Sequence, residues 1–140
     1  MRLFFFFSLV ILLVAANPLN AQNDTNKEVT PEILVQQQLD GYNARDIDAF
    51  LLPYSDDIEL YDFPNNLSGK GKENMRKNYQ SFFESVPDLH CELVNRMVMG
   101  NTVIDQERVT GFKDGYILEA IAIYKIVDDK IAKVFFIRKD

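Results

Sequence analysis

The sequence predicts an α+β fold: a curved antiparallel sheet packed on three N-terminal helices. Two observations carry the prediction. Apolar residues recur at helical spacing in the first half of the domain, over residues 30–84. From residue 89 to residue 138 they alternate instead, in long runs separated by short turns rich in Gly, Asn and Asp. Helices followed by a block of hairpins form one layer of helix on one sheet.

The elements follow in order. Thr30 before Pro31 is a helix start, a capping hydroxyl followed by proline at the first helical position. Val35, Leu39 and Tyr42 give the first helix one apolar face, and it should end near Asn43. Asp46 caps a second, short helix with Ile47, Phe50 and Leu51 on its buried side, closed by Pro53. Ile58 to Phe63 reads as a first strand, with Ile58, Leu60 and Asp62 on one face. Pro64 to Gly71 reads as a loop. Lys72 to Glu84 is a third helix, with Met75, Tyr79, Phe82 and Phe83 on one side and Pro87 beyond its end. Four strands then make an antiparallel meander, Leu89 to Met99, Thr102 to Phe112, Tyr116 to Val127 and Lys130 to Arg138, with turns at Gly100-Asn101, Lys113-Asp114-Gly115 and Asp128-Asp129. Strands this long must curve to cover the helices, and a curved sheet leaves a pocket between its concave face and the helices.

The N-terminus points to export. Arg2 precedes an apolar run from Leu3 to Ala16, interrupted by Ser8. The run is short of the roughly 20 residues that span a bilayer and matches a signal-peptide core. Residues 1–21 are expected to be a signal peptide cleaved after Ala21, with Ala16 as a second site and an uncleaved anchor as the alternative. Residues 22–29 form a polar leader, and residues 30–140 the domain. No stable membrane anchor remains after cleavage. Removal of Arg2 takes the net charge from −6 to −7, so a nucleic-acid partner is not expected. The single cysteine, Cys91, has no internal partner and reads as a small buried hydrophobe.

Asp46-Ile47-Asp48-Ala49-Phe50, Tyr54-Ser55-Asp56-Asp57, Tyr61-Asp62-Phe63-Pro64 and Gly71 resemble the nuclear transport factor 2-like superfamily, in its ketosteroid isomerase-like and polyketide cyclase-like (SnoaL-like) branches. Arg45 stands where glycine is common. The resemblance covers roughly residues 31 to 138 and implies a cone with one open mouth, and a homodimer formed through the sheet. Members include isomerases, cyclases, dehydratases and non-enzymatic binding modules, so the fold does not choose among them.

A ketosteroid isomerase moves a proton with a carboxylate base and an oxyanion hole built from a tyrosine and a protonated aspartic acid. By the resemblance, the base position falls on Asp62, and two supporting tyrosines fall on Tyr54 and Tyr79. The oxyanion tyrosine position falls on Gln38 and the aspartic acid position on Ala122. The base is kept and both principal donors are missing. Loss of one such donor typically costs about 10²–10³ in rate, which argues against steroid isomerisation.

Asp62 is therefore a candidate base or ligand anchor, with an exposed strand-end acid as the alternative. His90, the single histidine, is a candidate acid-base group or a structural residue. His90 and Cys91 point to opposite faces and cannot pair as base and nucleophile. Asp105 and Glu107 share a face. If that face is concave, Glu107 reaches the pocket; the expectation leans to a solvated face or an ion pair on a dimer surface. Leu118, Ala120, Ala122 and Tyr124 should line the concave side, which turns Glu119 outward. Tyr79, Phe82, Phe83, Phe135 and Phe136 read as core rather than stacking platforms, with lining of the pocket wall as the alternative for some of them. One histidine and scattered carboxylates give no zinc pattern, and no phosphate loop or nucleophile elbow is present, so no metal or cofactor is expected. The expected function is binding of a small, mostly apolar molecule. The alternatives are a cofactor-independent isomerase, cyclase or dehydratase using Asp62, and a structural dimer with a vestigial pocket.

Overall fold

The computed structural model describes residues 28–139. The expected signal peptide, its cleavage site and the leader as far as Lys27 lie outside the described residues, as does Asp140. The element order is α1 (Pro31–Ala44), α2 (Ile47–Leu51), β1 (Tyr54–Asp62), β2 (Asn66–Lys70), α3 (Lys72–Ser85), β3 (His90–Met99), β4 (Thr102–Thr110), β5 (Leu118–Val127) and β6 (Lys130–Arg138). This is the expected α+β cone, three helices held against a curved sheet. No helix among the described residues is long and apolar enough to cross a membrane.

Local chemistry sets the helix ends. The Thr30 hydroxyl accepts from the Ile33 amide at 3.3 Å, and the Asp46 carboxylate accepts from the amides of Asp48 and Ala49 at 3.1 and 3.0 Å. Arg45 ends α1 with a left-handed backbone, φ 53°, which explains why glycine suits that position elsewhere. Its guanidinium donates to the Leu89 carbonyl at 3.0 Å. Gly41 is where α2 crosses α1: a Cβ there would lie 2.3 Å from the Phe50 nitrogen, so only glycine permits the approach.

The six strands lie in the order β2-β1-β6-β5-β4-β3. The meander β3 to β6 is antiparallel, as its turns require. Two features depart from the sequence expectation. The sheet is mixed, because β1 runs parallel to β6. The segment expected as a loop contains β2, paired antiparallel with β1. The residues of β2 are mostly exposed, so no buried apolar alternation marks that strand. The β1–β6 pairing joins the two ends of the domain and leaves no local signature.

Val35, Phe50, Leu51, Ile58, Val103, Ala122, Ile131 and Val134 are fully buried and form the centre of the core. Tyr42, Phe50, Tyr79 and Phe83 add an aromatic cluster where the helices meet, mostly tilted or edge to face, with centroids 4.7–6.4 Å apart. Asn43 fastens α1 to the free edge of β3. Its side-chain amide donates to the Cys91 carbonyl at 3.0 Å and accepts from the Cys91 amide at 2.7 Å.

Candidate functional site

The helices do not fill the concave face. A cavity of about 310 Å³ remains between them and the sheet, at the small end of the range for ligand sites. Its walls are largely apolar and aromatic: Leu39 and Tyr42 from α1, Phe50 from α2, Tyr79 and Phe82 from α3, Val109, Leu118, Ala120 and Phe136 from the sheet.

One polar chain runs through the buried end. The Tyr54 hydroxyl donates to Gln38 Oε1 at 3.1 Å. Gln38 Nε2 donates to the Tyr124 hydroxyl at 3.1 Å. Tyr124 donates onward to Glu107 Oε1 at 2.9 Å. The chain draws on α1, β1, β4 and β5, and every hydrogen points toward Glu107. Glu107 is buried and lines the cavity. Its second oxygen, Oε2, has no hydrogen-bond partner among the described residues and is left for an occupant, accepting a hydrogen bond when the carboxyl is ionised and donating one when it is protonated.

Burial pushes the Glu107 carboxyl up to about 7; the Tyr124 hydrogen bond and the Arg96 charge oppose the rise, and the Asp105 charge adds to it. The acid thus changes charge near neutrality. Burial raises the phenols as well, Tyr79 to about 12 and Tyr54 and Tyr124 well above their ordinary value, so all three remain hydroxyl donors. Burial also raises the Cys91 thiol, which leaves it without nucleophilic character.

Next to this chain lies an ion pair of a different kind. Asp105 is fully buried and accepts two hydrogen bonds from Arg96, both 2.7 Å, while Arg96 also donates to Gln36 Oε1 at 2.8 Å. This clamp joins α1, β3 and β4 and takes no part in the cavity wall.

The sequence expectations map onto this site unevenly. Gln38, Tyr54, Tyr79, Leu118, Ala120 and Tyr124 line the cavity. Ala122 is fully buried on the same face but lies behind the wall. Glu107 and Asp105 face inward and not to solvent, a correction to the leaning stated above. The reason is Arg96, which crosses from β3 and neutralises Asp105, so the acid-bearing face can be covered. Glu119 is exposed and pairs with Lys139 at 2.6 Å.

Asp62 does not line the cavity. It is the last residue of β1, its side chain is 40% exposed, and it pairs with Arg138 at the mouth. The strand alternation placed it on the inner face, but that face has run past its helical cover at this position. His90 is exposed and faces away from the cavity, because Cys91 takes the inward position of that alternation. Of the aromatics expected as core or pocket wall, Tyr79, Phe82 and Phe136 form cavity wall, and Phe135 stacks outside the cavity on Tyr61 at 4.8 Å. Arg138 was not anticipated; its signal was the two-residue step from Phe136 on the final strand. No cluster of three metal-ligating side chains occurs among the described residues.

An α+β cone with one partly apolar cavity and a buried acid defines the class. Within it, the SnoaL-like domain family matches residues 35–134, and the chain belongs to that family. Solved structures agree on the fold. The chain is similar to an uncharacterised cystatin-fold protein from Novosphingobium aromaticivorans (26% identity, TM-score 0.72, covering 78% of this chain and 98% of that one). It is also similar to a SnoaL-like protein of unknown function from Burkholderia thailandensis (21% identity, TM-score 0.66, 79% and 94% covered). A third is a nuclear transport factor 2-like protein of unknown function from Cytophaga hutchinsonii (13% identity, TM-score 0.67, 81% and 94% covered). No curated protein matches the chain.

Proposed function

We propose that this is an exported protein that binds a small, mostly apolar molecule bearing one hydroxyl or carbonyl group. The observation that carries the proposal is the polar chain Tyr54–Gln38–Tyr124–Glu107 ending at an unpartnered carboxyl oxygen in a largely apolar and aromatic cavity. Such a site buries the body of a ligand by the hydrophobic effect and orients it by one polar group. Glu107 takes the anchor role first expected of Asp62. The test is thermal denaturation with a panel of bicyclic phenols and ketones. A ligand at 100 times its Kd adds about 2.7 kcal/mol and raises the Tm. Glu107→Ala should lose the shift, and a panel without effect at millimolar concentration counts against the proposal.

Export rests on the N-terminal pattern of Arg2, the apolar run and Ala21, and N-terminal sequencing of the mature protein checks it. A homodimer is supported by the outer face of the sheet, where Val94, Met97, Ile121 and Ile137 are exposed. Sedimentation of wild type against Ile121→Asp tests that arrangement.

A second reading has one specific observation in its favour. A buried carboxyl near 7 is matched to proton transfer at neutral pH. A cofactor-independent isomerase or cyclase would then use Glu107 as its acid-base group. Exchange of the α-protons of 2-tetralone in D₂O, followed by NMR, should proceed faster with wild type than with Glu107→Gln if this holds. Equal rates leave the binding role alone.

A further inference from the structure

We propose that the ligand carries an anionic group, a carboxylate or its equivalent, that binds Arg138 at the cavity mouth while its hydroxyl or carbonyl end meets Glu107. The inference rests on the pocket reading above and names the ligand class more narrowly: an apolar, amphiphilic acid.

Among the described residues lining the cavity, Arg138 is the sole cation. Its guanidinium is held in place from two sides. Asp62 accepts from Nη1, and the Phe136 ring lies beneath, 5.3 Å from the guanidinium carbon. A guanidinium offers five N–H donors. Asp62 is the one side chain among the described residues that accepts from it, so most of the fork remains for a second oxyanion. The side chain is half exposed, so an anion reaches it without being fully desolvated. The charge is also felt inside the cavity, where Arg138 opposes the rise of the Tyr79 phenol.

On the same rung of the sheet, across Ala120 from Arg138, the character is reversed. Glu107 is hydrogen-bonded by the Tyr124 hydroxyl, itself held through Gln38 to Tyr54, and has no direct cation partner, so an anionic ligand group is unfavourable there. Polarity thus changes across the cavity: a buried carboxyl with its hydroxyl and amide chain on β4, the small Ala120 between, and a half-exposed cation on β6. A ligand that matches it enters with its charged end last. The chain as a whole carries a net charge of −6, so general electrostatic attraction does not draw in anions. A preference for an acid must come from a local contact.

The test is a matched pair of fluorescent probes, 6-hydroxy-2-naphthoic acid and its methyl ester, titrated against wild type and Arg138→Gln. The expected result is that wild type binds the acid about tenfold or more tightly than the ester, in keeping with a charge-assisted hydrogen bond. Arg138→Gln should abolish the preference by weakening the acid more than the ester, and a cooperative thermal unfolding curve shows that the variant is folded. Equal binding of both probes by wild type, or a preference that survives in Arg138→Gln, overturns the inference and leaves the pocket reading standing. Failure of both probes to bind overturns the two together.

Discussion

Asp105 and Glu107 stand two residues apart on the inner face of β4, and both are buried, yet they belong to different regions of the cone. The region of Asp105 lies under α1 and is closed. Arg96 clamps its carboxylate from β3, Gln36 completes the guanidinium, and packing leaves no cavity wall there. The region of Glu107 is open. Its acid has hydroxyl and amide neighbours and a cavity in front of it. Burial gives a structural ion pair where a cation is supplied and a protonatable group where one is not. Desolvating charge is costly in both places; the partner decides how the protein meets it.

The comparison can be broken most severely on the closed side. Arg96→Met leaves Asp105 buried without its counter-charge, and the expected loss is about 3–5 kcal/mol, read from urea unfolding. Arg96→Met with Asp105→Leu should recover much of that loss, since it removes the stranded charge. If the single variant unfolds like wild type, the clamp has no structural weight.

A smaller effect is expected on the open side, and it depends on pH. The Glu107 carboxyl lies at 4.5 when unperturbed and at about 7 in the folded protein. Between those values the folded chain holds a proton that the unfolded chain has released. Stability therefore falls as pH rises through the window from about 4.5 to 7, then levels off. The total is about 3 kcal/mol, at 1.36 kcal/mol for each pH unit. Glu107→Gln should flatten this part of the profile, measured as unfolding free energy at half-unit steps. A wild-type profile that is flat or rising there contradicts the assignment.

The mouth sharpens the contrast at the low end. Asp62 and Arg138 form an ion pair with both side chains well exposed, so solvent screens it. Asp62→Asn should change stability by less than about 1 kcal/mol. A larger loss would mean that the pair holds the ends of β1 and β6 together as well as positioning the arginine.

Much of the scaffold was legible from local signals. Thr30-Pro31, Asp46 and Pro53 punctuate the helices because capping and proline chemistry act within a few residues. Gly100-Asn101 and Asp128-Asp129 mark hairpins for the same reason; both Asp128 and Asp129 carry positive φ, 50° and 55°, the geometry a tight hairpin requires. The site was legible in part. Alternation placed Tyr124 with Leu118 and Ala120, and it grouped Asp105 with Glu107. It did not say that the acid face was the covered one, because Arg96 neutralises Asp105 from another strand. Asp62 shows the opposite failure: its face was read as inward, but cover ends before the strand does.

By itself, the sequence determined the order of helices and strands apart from β2, the turns that join β3 to β6, and which residues share a face, since each depends on neighbours a few positions away. The tertiary structure alone decided that β1 lies parallel to β6, that Glu107 is the buried acid of the cavity, and that Arg138 stands at its mouth. Those outcomes depend on pairs separated by most of the domain, such as Gln38 with Tyr124 and Asp62 with Arg138. A period of two residues states which side chains travel together; which side receives the helices is settled by packing and by where a counter-charge can reach.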